Sequence, residues 1–194
     1  SALPSTEPSS IPSGIPTFQP TFVPSPQPTI SISDIYMLSK LYRSIGGLNW
    51  CTSTKWLSGD PCTQTWYGIG CSERSYDGVL ITTSVALSSN CMTGSIPTQF
   101  GHFTSLTKLD LSVNQITNKL PSEVGHLTSL TELNVGQNSI WGTTPTQIGR
   151  IYSLESRFGL HSNIFSGTVA TEIGMLKFMV KDFLLNANDY TGGL

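Results

Sequence analysis

The segment Leu127–Ile140, "LTSLTELNVGQNSI", has too many small polar residues for a buried helix and too many leucines for a loop. The segment Phe103–Ile116, "FTSLTKLDLSVNQI", writes the same phrase 24 residues earlier. Aligning on asparagine extends the pattern: Asn90, Asn114, Asn138, Asn163 and Asn188 stand 24, 24, 25 and 25 residues apart. Four residues after each comes Gly94, Asn118, Gly142, Gly167 and Gly192, a column in which Asn118 replaces glycine because asparagine tolerates positive φ. Gly101, Gly125, Gly149 and Gly174 form another column, and Pro97, Pro121 and Pro145 a third, broken at Ala170. Five residues before each asparagine stand Val85, Leu109, Leu133, Phe158 and Phe183, and three before stand Leu87, Leu111, Val135, Leu160 and Leu185. One extra residue before Phe158, and another before Phe183, sets the longer spacing of the last two units.

A period of 20–29 residues with the order L-x-x-L-x-L-x-x-N is the leucine-rich repeat signature. In "LTELNV", Leu133 and Val135 are expected to point inward from a short strand, with Glu132, Asn134 and Gly136 pointing out. One such strand has no way to bury its apolar side alone, so successive coils must stack into one core. The asparagines at 90, 114, 138, 163 and 188 turn the chain, and their buried amides must find backbone partners in their own and neighbouring turns.

The spacer Thr93-Gly94-Ser95-Ile96-Pro97, followed by Gly101, Phe103 and Leu106, resembles the plant-type leucine-rich repeat family over roughly residues 32–194. The resemblance implies an α/β repeat: a right-handed curved solenoid with parallel strands on the concave face. It also implies a second short strand layer at the "IP" region. Residues 32–80 fit the same family. Ile35, Leu38, Leu41, Tyr42 and Ile45 have helical spacing, with Asp34 or Ser33 as N-cap and Gly46-Gly47 as the stop. The loop "WLSGDPCTQTWYGIGC", Trp56–Cys71, resembles the family's N-terminal cap, with Ile69 for the usual valine. Four cysteines, 51, 62, 71 and 91, favour disulfides in an oxidising compartment and allow three pairings. The family motif implies Cys62–Cys71, which leaves Cys51–Cys91 to staple the cap to the first coil.

Residues 1–29 read differently. They hold eight of the twelve prolines, seven at a strict spacing of four from Pro4 to Pro28, and Glu7 is their one charge. Each proline removes an amide donor and keeps its predecessor out of the helical region, so an extended arm is expected. Proline–serine spacers joined to such repeats resemble surface and matrix proteins of algae. The division expected is thus an arm at 1–29, a cap at 30–80 and about five coils at 81–194. The last coil stops without its proline, later glycine and returning leucines. The expectation there is a longer native chain, or self-association through the open C-terminal end.

Charged residues make up 11% of the 194 and the net charge is −2, which argues against a general hold on nucleic acid or a basic membrane patch. There is no apolar run of membrane-spanning length. The sequence has no G-x-S-x-G elbow and no glycine-rich phosphate loop, and no cofactor or metal is called for. His102 and His126 share a column with Arg150 and Met175, as a solvent-facing repeat position would. An ice-binding array would need threonine throughout one column, but Thr93 and Thr117 are followed by Trp141 and Ser166. The resemblance implies a non-enzymatic extracellular binding module for a protein, peptide or glycan, secreted or receptor-like. The alternative is a structural or adhesive part of a cell surface or matrix. The ligand row expected on the concave face is Lys108, Asp110, Ser112, Glu132, Asn134, Gln137, Arg157, His161, Asp182 and Asn186. Arg157 is its one anchor-type side chain, with Trp141 after the next turn.

Overall fold

The computed structural model describes residues 32–192, so the proline-rich arm expected at 1–29 and the final residues lie outside the described part. Helix α1 (Ile32–Ser44) buries Leu38 and Leu41 completely, and Ile45, the next residue after it, is equally buried. It ends before Gly46, which takes the left-handed conformation at φ +71° that a β-carbon disfavours, so the glycine stop stands as read. The expected N-cap does not. Asp34 lies inside the first turn, and its Oδ2 accepts the backbone N–H of Thr82 at 2.8 Å, tying the helix to a strand rather than to its own amides.

Strands β1 (Ile69–Glu73) and β2 (Leu80–Ala86) form an antiparallel hairpin. Parallel strands β4 (Lys108–Asp110), β6 (Glu132–Asn134), β8 (Arg157–Gly159) and β10 (Asp182–Leu184) follow β2 in one six-stranded sheet, the concave face. A second sheet holds β3 (Thr93–Gly94), β5 (Gln115–Asn118), β7 (Ser139–Gly142), β9 (Ile164–Gly167) and β11 (Asp189–Tyr190), in neighbouring order. This layer precedes the expected "IP" position: β3 ends at Gly94, and Pro97 already leads a 3₁₀ turn, Thr98–His102. Equivalent turns run over Ser122–His126, Thr146–Arg150 and Thr171–Met175. Ala170 breaks the proline column but keeps its backbone shape, φ −60° and ψ 125°.

The leucine columns form one core from cap to last coil. Val85, Leu109, Leu133 and Phe158 are fully buried in one row, and Leu87, Leu111, Val135 and Leu160 in the next. The glycine column is explained by stacking distance. A β-carbon on Gly125 would collide with the backbone carbonyl of Gln147 in the following coil. The extra residue of the fourth coil is absorbed before its strand: Glu155 and Ser156 both donate to the Thr131 carbonyl, at 3.3 and 3.0 Å, and Arg157 then pairs with Glu132 in register.

The asparagine amides stitch coil to coil. Asn138 Oδ1 accepts the Ile116 N–H at 2.9 Å, while its Nδ2 donates to the carbonyls of Leu111 and Val135, each at 3.0 Å. Asn163 and Asn188 repeat the pattern one and two coils on. Asn114 Oδ1 accepts the amides of Asn90 and Met92. Asn90 has no earlier coil and binds the cap instead, taking the Thr52 N–H at 2.7 Å and donating to the Thr52 carbonyl at 2.9 Å. Both expected disulfides are present, Cys62–Cys71 and Cys51–Cys91, and the second sits beside the Asn90 joint. Above it Tyr42, Trp50, Trp56 and Trp66 pack ring against ring, with neighbouring centroids 4.7–5.6 Å apart. Each indole N–H donates to a carbonyl, so the aromatic cap is buried without an orphaned donor.

Candidate functional site: the concave face

Parallel pairing in register puts Lys108, Glu132, Arg157 and Asp182 side by side across four strands. Their charges alternate and pair. Lys108 Nζ lies 2.9 Å from Glu132 Oε2, Arg157 is 3.8 Å from Glu132 Oε1, and Arg157 holds Asp182 Oδ2 through Nε and NH2 at 3.0 and 2.8 Å. Asp182 raises the Arg157 pKa, chiefly by these hydrogen bonds.

The second row is Asp110, Asn134, Gly159 and Leu184. Here the chain turns immediately after each strand and pulls side chains inward. Asp110 Oδ1 accepts the Ser112 N–H at 3.1 Å and its hydroxyl at 2.6 Å. Asn134 Oδ1 accepts the Gly136 N–H at 3.1 Å. Asn134 lies against Gly159, where a β-carbon would meet its Oδ1, and the His161 imidazole lies across Gly136 in the same way. The glycines are therefore seats for side chains of the adjacent coil.

Of the ten residues expected to meet a ligand, the ion-paired four stand half-exposed or exposed, with Gln137 and Asn186 exposed beside them. Asp110 and His161 are half-buried, and His161 Nδ1 is buried without a hydrogen-bond partner. Ser112 and Asn134, only 6% and 5% exposed, are spent on the turns and offer a ligand almost no surface. Trp141 lies on β7 of the second sheet, outside these rows, with Lys119 Nζ 5.2 Å from its ring centre. His102 and His126 are exposed, as their repeat position suggested. Among the described residues, no cluster of three or more His, Cys, Asp or Glu side chains is placed to hold a metal, and no helix is long and apolar enough to cross a membrane.

A family model described as "Leucine rich repeat" matches residues 82–140. Over those residues in sequence, and in fold through the described coils, the chain is similar to leucine-rich repeat proteins. Its repeats are of the type seen in plant receptor ectodomains. The leucine-rich repeat ectodomain of the receptor kinase SOBIR1 from Arabidopsis thaliana is similar at a TM-score of 0.72 and 24% identity, over 86% of this chain and 85% of that one. A chain of the BIR3–SERK2 complex from the same plant is similar at a TM-score of 0.68 and 25% identity, over 82% of this chain and 84% of that one. A plant ice-binding protein shares the fold at a TM-score of 0.56 and 21% identity, over 83% of this chain and 57% of its own. No curated protein sequence matches the chain.

Proposed function

We propose that this chain is a non-catalytic, extracellular recognition module that holds a segment of another protein against its concave face. The observation that carries this reading is the alternating row Lys108–Glu132–Arg157–Asp182. Ion pairs this exposed contribute only about 0–1 kcal/mol each to folding. A fixed charge pattern instead serves to choose and orient a partner. Neighbouring strands lie roughly 4.8 Å apart, so a segment crossing them would meet a change of sign at each coil. The complementary partner is therefore a peptide stretch carrying both charges. The row has no aromatic platform, which favours peptide over glycan at this face. Two disulfides and likeness to receptor ectodomains support an extracellular or cell-surface location. We take the chain as arm 1–29, cap 30–80 and coils 81–194.

A structural or adhesive role at a cell surface is the second reading. It is supported by the proline-rich composition of residues 1–29 and by Phe178, Val180 and Phe183, exposed in and just before edge strand β10. Self-association would use that edge.

Site-specific photo-crosslinking separates the two. A photoreactive residue is placed at Gln137, beside the concave rows, or at Gln99, in a 3₁₀ turn. Each variant is exposed to extracellular fluid of the source cells. A discrete heterologous adduct from position 137 alone supports recognition. Adducts only with copies of this chain, or equal labelling from both positions, would overturn it.

A further inference from the structure

The row Lys108–Glu132–Arg157–Asp182 is uneven in what it leaves free. Glu132 faces a cation with each oxygen, Lys108 with Oε2 and Arg157 with Oε1, and Arg157 is held by Glu132 and Asp182 together. The outer members have one partner each among the described residues: Lys108 pairs with Glu132, and Asp182 accepts from Arg157 through Oδ2. Side-chain exposure follows the same order, 17% for Glu132 against 40% for Lys108 and 49% for Asp182. An ammonium has three donors and a carboxylate two oxygens, so binding capacity is left at these two positions. Beyond Lys108 the register continues to Ser84, which carries no charge.

The middle row lies lower. Asn134 and Gly159 are buried, so in these two coils the floor has almost no side chain standing on it. On its far side Gln137 and Asn186 are exposed and His161 is half-buried. The His161 ring lies across Gly136 with Nδ1 buried and unpaired, which leaves Nε2 as the nitrogen turned outward. A buried N–H without an acceptor is rarer than a buried acceptor without a donor, so in the uncharged ring the proton belongs on Nε2. The outward nitrogen is then a donor.

These positions set a spacing. Three strand intervals of about 4.8 Å put the coils of Lys108 and Asp182 roughly 14 Å apart, and four residues of extended chain cover about 13.5 Å. Two residues would fall short, and six overshoot, by roughly 6–8 Å. A helix needs about nine residues for the same span, and at about 10–12 Å across it is too wide for a floor one residue wide. An extended chain sends alternate side chains to opposite flanks. With its acidic residue at Lys108, the third residue on lies about 10 Å along, level with His161 two strand intervals away, and on that flank. We infer, resting on the peptide-binding reading of the concave face, that this face takes an extended peptide whose acidic and basic residues stand four apart. The acidic residue pairs with Lys108 and the basic one with Asp182. The residue beside the basic one presents a hydrogen-bond acceptor to His161 Nε2.

The probes are peptides selected from a random library on the intact protein and sorted by whether Arg157→Glu weakens them. Among the sensitive peptides, the commonest separation between an acidic and a basic residue is expected to be four. Inserting or deleting one residue between those two is expected to weaken binding about three- to tenfold, the loss of one charge pair. Lys108→Glu is expected to weaken the same peptide by a similar factor, and exchanging the peptide's acidic residue for lysine to restore it. His161→Phe is expected to lower affinity for a peptide with asparagine beside the basic residue and to leave its alanine counterpart unchanged. Sensitive peptides with no preferred separation, or with a separation of about nine, overturn the inference and leave the peptide reading standing. An exchanged peptide that Lys108→Glu binds no better also overturns it, and equal effects of His161→Phe on both peptides overturn the part given to His161. If no selected peptide is sensitive to Arg157→Glu, the peptide reading and the inference fall together.

Discussion

Asn138→Ala probes the ladder on which the coils depend. The side chain makes four hydrogen bonds, accepting from the Ile116 N–H at 2.9 Å and donating to the Leu111, Val135 and Gly136 carbonyls at 3.0, 3.0 and 3.3 Å. The consequences of removal differ among them. The Leu111 carbonyl still accepts from Asn114 Nδ2, the Val135 carbonyl from Asn163 Nδ2, and the Gly136 carbonyl from the Val113 N–H. Only the Ile116 N–H loses its partner outright, at about 1–3 kcal/mol, while the lost donor bonds add several tenths to about 1 kcal/mol each. The expected total is about 3–4 kcal/mol. Urea unfolding reads it as a lower midpoint with an unchanged slope. Gln115→Ala, at an exposed neighbour, is the control and is expected to stay within about 0.5 kcal/mol. A loss below about 1 kcal/mol for Asn138→Ala would refute the view that this amide bridges the coils.

Other outcomes follow from the same structure. Val113 is a β-branched residue held at φ +56° and is exposed, so Val113→Asn is expected to raise the unfolding free energy by about 1 kcal/mol, read in urea denaturation. Gly125→Ala places a methyl group against the Gln147 carbonyl and is expected to cost several kcal/mol or prevent folding, seen in expression yield and circular dichroism. Removing Cys51–Cys91, which spans 40 residues, is expected to cost about 4 kcal/mol, against about 2.5 for Cys62–Cys71, which spans 9; paired alanine variants under urea compare them. Arg157→Ala is expected to change stability by less than about 1 kcal/mol, because its pairs with Glu132 and Asp182 are open to solvent.

The fold was legible because a repeat enforces itself. Each asparagine must reach the coil before it, and each glycine of the 101, 125 and 149 column must admit the coil after it, so the constraint returns every 24 or 25 residues. The Cys62–Cys71 pairing followed from the resemblance to the family's cap motif, and Cys51–Cys91 was the pair it left. The concave surface was less legible. Alternation along a strand put Asn134 and Ser112 outside, but three-residue strands turn at once, and the Asx-type bonds from the Gly136 N–H to Asn134 and from the Ser112 hydroxyl to Asp110 draw both side chains under cover. The charge row did carry a signal, since Lys108, Glu132, Arg157 and Asp182 share one column with alternating sign. No residue type announces the left-handed turn shared by Ser89, Val113, Gln137, Ser162 and Ala187, because the backbone imposes it on whatever stands before the asparagine.

The most direct test of the central claim is hydrogen–deuterium exchange on this protein bound to peptides selected from a random library for affinity to it. Recognition through the charge row requires the selected peptides to protect amides in β4, β6, β8 and β10, and to lose at least tenfold in affinity against Arg157→Glu, whose reversed charge breaks the alternation. Peptides that bind Arg157→Glu unchanged, or that protect the 3₁₀ turns and leave those strands open, would contradict the claim.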